Sequence, residues 1–282
     1  MSSTSAKGAH GSIIPGPATG WLATAKFAAS GRRWTNKGEH LLVHAVSPER
    51  GSGSSSSARL NLLRRAVALG GQDAQGLYLT SAGFFGCSAS EGNSAAGLKW
   101  PGLWPAGEER LLTALGAFAS GLRDGVWLAI GVDMSRCYEA QEFWWFRGGE
   151  STHQCRVFRN RTPVADRVVT IGPFKVLGFV CGGIFGDHGI KCAVPDDVRG
   201  IDVVVDAAHA SMNRQVDPAA SASNLRPRWA FHRTLRRLGD HCGAVFAHAH
   251  GANDGLVRNC DNWIVYRGEN PFPNSTTGIP IP

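Results

Sequence analysis

The chain has 282 residues, 43% hydrophobic and 18% charged, a globular composition with enough apolar surface for a large core. Its net charge of +7 comes from scattered basic residues with no zinc-finger spacing or RNA-recognition signature beside them, so a nucleic-acid partner is not expected. No apolar run approaches the roughly 20 residues of a membrane span, and the 7 cysteines are irregularly spaced with no Cys-x-x-Cys pair, which argues against a disulfide scaffold or structural zinc and for a soluble, cytoplasmic protein with reduced thiols.

Residues 1–38 contain no Asp or Glu, are rich in Ser, Ala and Gly, and carry Lys7, Lys26, Arg32, Arg33 and Lys37. Such a start also fits a transit peptide, but it shows no sustained amphipathic helix, so a disordered extension is expected, with one folded domain over 39–282. Residues 41–46 read as a first strand, 51–57 as a flexible linker, and 60–69 as a helix stopped by Gly70 and Gly71. A second strand is predicted at 77–80, an amphipathic helix at 108–122 and a buried strand at 126–130. Residues 142–147 and 154–159 form a predicted hairpin across Gly148 and Gly149. Strands follow at 175–181 and 201–205, the latter nearly all β-branched and therefore central. A helix at 229–238 and strands at 244–249 and 263–266 complete an α/β pattern with mixed sheets.

The segment Lys175-Val176-Leu177-Gly178-Phe179-Val180-Cys181 sets Gly178 among four apolar residues in a predicted strand that ends at cysteine. Gly200-Ile201-Asp202-Val203-Val204-Val205 follows some twenty residues later. Together they resemble the nucleophile strand and following strand of the nitrilase (carbon–nitrogen hydrolase) superfamily, and the element order fits that family over roughly residues 40–270. The resemblance implies a four-layer αββα sandwich. It places Cys181 as nucleophile and the backbone N–H of Gly182 as a donor to the oxyanion. The chemistry implied is attack on an amide or nitrile, an acyl-thioester, and then hydrolysis or transfer of the acyl group to an amine.

The family adds a Glu base and a Lys beside the cysteine. A thiol with its reference pKa of ~8.5 needs a base or a positive field, and the oxyanion needs a cation or N–H donors. At the Glu position this chain has Thr80-Ser81-Ala82, and at the Lys position Arg159-Asn160-Arg161. Arg161 and Asn160 are therefore the candidates for charge and hydrogen bonding to the oxyanion, and Asp166 matches a second family carboxylate. A guanidinium is no substitute for lysine in size or proton chemistry. Two readings lead: a cysteine-dependent hydrolase or acyltransferase with an altered triad, and an inert relative that binds a partner or small acyl compound; a basic nucleic-acid-associated protein is the third and least expected. The expected partners are a small amide, nitrile or acyl compound, with a homo-oligomer allowed for and no cofactor or metal required. Cys137-Tyr138-Glu139 resembles a family motif, but no strand leads into it and no Gly-Ile-Asp-Val strand follows at the right distance. His248 and His250 share a strand face, but such histidines are more often satisfied core or surface residues than ligands.

Overall fold

The computed structural model describes residues 19–28, 40–48, 55–72, 75–85, 105–133, 141–158, 162–163, 165–180, 200–208, 243–248, 263–266 and 279–281. Among the described residues twelve strands form two sheets. The larger contains β1 (Gly20–Ala28), β2 (His40–Pro48), β3 (Gly76–Thr80), β4 (Val126–Asp133), β5 (Gln141–Arg147), β6 (His153–Phe158) and β12 (Ile279–Ile281), in the order β12-β1-β2-β3-β4-β5-β6. The smaller contains β7 (Val168–Ile171), β8 (Phe174–Val180), β9 (Val203–Ala208), β10 (Gly243–His248) and β11 (Trp263–Tyr266), in the order β11-β10-β9-β8-β7. β2, β3 and β4 run parallel, as do β8, β9 and β10; the flanking strands are antiparallel.

Two helices among the described residues cover the larger sheet. α1 (Ser56–Gly70) starts where the hydroxyl of Ser55 accepts from the Ala58 amide at 3.2 Å. It therefore begins within the stretch predicted as linker. It ends at Gly71, whose φ of 80° suits glycine and whose N–H donates to Val67. Tyr78 of β3 donates to the Gly71 carbonyl at 2.5 Å and stacks on His44 of β2 at 4.4 Å, fastening the helix end to the sheet. α2 (Pro105–Ser120) packs on the same face. Among the described residues the layers are thus helices, larger sheet and smaller sheet. The smaller sheet's other face carries Leu177, Phe179 and Val204, all fully buried. The predicted helix 229–238 lies outside the described residues.

β5 explains why this stack holds. Its run Phe143-Trp144-Trp145-Phe146 is fully buried. Alternation sends Phe143 and Trp145 into the core between the sheets, and Trp144 and Phe146 into the core under the helices. A strand covered on both faces is apolar throughout, as the sequence is here. Each ring contributes at most ~4–6 kcal/mol of apolar transfer. Opposite them on β8 stands Gly178. A Cβ there would lie 2.9 Å from Phe143 Cε1 and 2.9 Å from Trp145 Cζ2, so the missing side chain is what lets the two sheets close.

β1 lies within the residues 1–38 that the sequence reading takes as a disordered extension, and over Gly20–Ala28 the chain is a paired strand. Gly20 to Ala28 pair with Pro48 to His40 along nine positions, and Gly20 to Leu22 pair with Ile281 to Ile279 on the other side. Leu22 is 2% exposed in the helix-side core. The alanines of this strand have weak strand propensity, so pairing on both sides supplies what the local sequence does not. β7 and β12 also lie outside the predicted set, being only four and three residues long.

Two outcomes follow from this packing. Gly178→Ala should lower the unfolding free energy by ~1–3 kcal/mol, with a smaller penalty in a Phe143→Leu background, measured as a double-mutant cycle in urea. Removing residues 1–28 takes away the strand between β2 and β12, and the thermal midpoint should drop by at least ~5 °C.

Candidate active site

In open α/β sheets, chemistry gathers beyond the carboxyl ends of parallel strands. Here β8 and β9 bring such ends together. Asp202 sets their alignment: its amide donates to the Lys175 carbonyl at 2.9 Å, and its carboxylate accepts from the Lys175 amide at 2.8 Å. The register then runs Leu177 with Val204, Gly178 with Val205, Phe179 with Asp206 and Val180 with Ala207. Val180, the last residue of β8, is bonded directly to Cys181. Val180, Ala207 and Ala82 belong to one inter-sheet cluster, so the ends of β8 and β9 share a core with the turn that follows β3.

That turn holds Thr80-Ser81-Ala82, the stretch set against the family glutamate in the sequence analysis. The Thr80 hydroxyl accepts from the Gly131 amide at 2.9 Å. The Ser81 carbonyl accepts from the Phe84 amide at 3.2 Å and fills the space a side chain would need at Gly131. Gly83 turns the chain with a φ of 61°. Ser81 and Ala82 are fully buried, and the Ser81 hydroxyl meets no hydrogen-bond partner among the described residues. The groups offered at this strand end are hydroxyls and a methyl, none able to take a proton from a thiol at neutral pH.

Of the residues singled out from sequence, Cys181, Gly182, Asn160 and Arg161 lie outside the described residues, as do Cys137 and His250. Asp166 is described. It sits in a single 3-10 turn, Ala165–Arg167, with its side chain exposed and its amide donating to the Pro163 carbonyl at 3.1 Å. Its own carbonyl accepts from the Cys155 thiol at 3.3 Å. Burial, and then the nearby Asp166 charge, push the Cys155 thiol above its usual range, so Cys155 is a poor nucleophile at neutral pH.

Among the described residues three carboxylates are buried: Glu142, Asp202 and Asp206. Glu142 faces the helix side, where its Oε2 accepts from Trp144 Nε1 at 2.6 Å and from Arg156 at 2.9 and 2.7 Å. Arg156 also pairs with Glu108 of α2 at 2.7 Å and lies 5.1 Å over the Trp144 ring, so this network ties α2 to the β5–β6 hairpin. Asp202 holds the amino ends of β8 and β9. Asp206 lies farther along β9 at 2% exposure, on the face opposite the inter-sheet core that takes Val203, Val205 and Ala207. Sequence reading passed over Asp206. The available signal was a carboxylate placed directly after the β-branched run Val203-Val204-Val205, since an aspartate is rarely buried. Arg167, 4% exposed, stands 5.6 Å over the ring of Phe179, the register partner of Asp206.

Two facing mixed sheets, helices over the larger one and a glycine-spaced strand leading to a cysteine define an α/β fold of the nitrilase type. Neither a protein-family model nor a curated protein matches the chain. Among solved structures it is similar to an amidase of the nitrilase superfamily from Nesterenkonia sp. AN1. A cysteine-to-alanine mutant of that amidase has a TM-score of 0.55 and 13% identity, with 87% of this chain and 90% of that chain covered. A double mutant in complex with acrylamide has a TM-score of 0.55 and 13% identity over 88% and 91% of the two chains. A glutamate-to-glutamine mutant that shows Michael addition of acrylamide at the active-site cysteine has a TM-score of 0.50 and 14% identity over 80% and 86%. At these identities the likeness shows the fold alone. Among the described residues no helix is long and apolar enough to cross a membrane.

The buried network gives a direct test. Glu142→Ala strands the Trp144 N–H and removes two charge-assisted bonds of Arg156, and should cost about 2–4 kcal/mol in urea unfolding. Glu108→Ala, at a partly exposed carboxylate, should cost under about 1 kcal/mol.

Proposed function

We propose that the chain is a carbon–nitrogen hydrolase-like protein that uses Cys181 to form a thioester with a small amide, nitrile or acyl donor. The observation that carries this reading is the placement of Cys181 directly after β8, a parallel strand registered on β9, within a nitrilase-type fold. The thiol sulfur attacks the acyl carbon. The oxyanion is held by the Gly182 N–H, with Asn160 donating a hydrogen bond and Arg161 supplying the charge that lysine gives in the family. The nitrogen leaves with a proton, and water or an amine takes the acyl group from sulfur. Asp166 has no step, because its side chain is exposed in the turn before β7. A cytoplasmic location and a homo-oligomeric state belong to the same reading.

The end of β3 supports slow turnover. With Ser81 and Ala82 where the family carries its base, simple amides should react far below the rate of a complete triad, since loss of a general base costs about 10²–10⁴. The same observation favours a second reading, an inert relative that binds a small acyl compound.

The experiment is incubation of the purified protein with a panel of amides, nitriles and a thiol-reactive acyl probe, alongside Cys181→Ser, with adducts located by mass spectrometry. An adduct on Cys181 that is absent in the variant, with little on Cys155, is expected. No adduct and no turnover across the panel would favour the binding reading.

A further inference from the structure

We draw no further inference here: the strongest candidate, the Ser81 hydroxyl in the turn at the carboxyl end of β3, which meets no hydrogen-bond partner among the described residues, carries nothing because at 0% exposure it has no open surface for a ligand to meet, and the chain beyond Val180 and Ala208, the ends of the strands that share a core with that turn, lies outside the described residues.

Discussion

The approach of Gly178 to Phe143 and Trp145 is the contact on which the rest of the structure depends. It sets the spacing of the two sheets at the centre of the inter-sheet core, where β8 meets β5. A side chain at that point would hold the smaller sheet away from the larger one and expose the apolar faces of both. Because β5 is covered on both sides, the same contact also fixes the surface on which α1 and α2 rest. Close packing of this kind transmits a small change at one residue across several layers.

Once the sheets are seated, the chemistry depends on which strand ends come together. The Asp202–Lys175 backbone clamp fixes β8 against β9, and a shift of one residue would turn every side chain of β8 to the opposite face. The register in place brings Val180, Ala207 and Ala82 into one cluster. The end of β8 and the turn after β3 therefore share one core, and that turn presents hydroxyls and a methyl.

The buried acids show how environment assigns different work to one functional group. Glu142 sits among an indole N–H and a guanidinium and acts as mortar between α2 and the β5–β6 hairpin. Asp202 closes a backbone ring and acts as a register pin. Asp206 stands farther along the same strand, beside Phe179 and near the end of β8. Composition treats the three as equivalent; their neighbours do not.

The sequence by itself determined the alternation of strands and helices, the β5–β6 hairpin, the parallel β-branched strand β9, and the cysteine that follows β8, because periodicity, turn residues and branching are local properties written in adjacent positions. It did not reveal β1, whose alanines form a strand through pairing with β2 and β12, nor β12 itself, whose three residues join β1 from the far end of the chain. Nor did it separate Glu142, Asp202 and Asp206, because burial and hydrogen-bond partners arise only when distant segments meet. The tertiary structure decided those points: edge pairing and desolvation depend on contacts across the chain, and no window of neighbouring residues contains them.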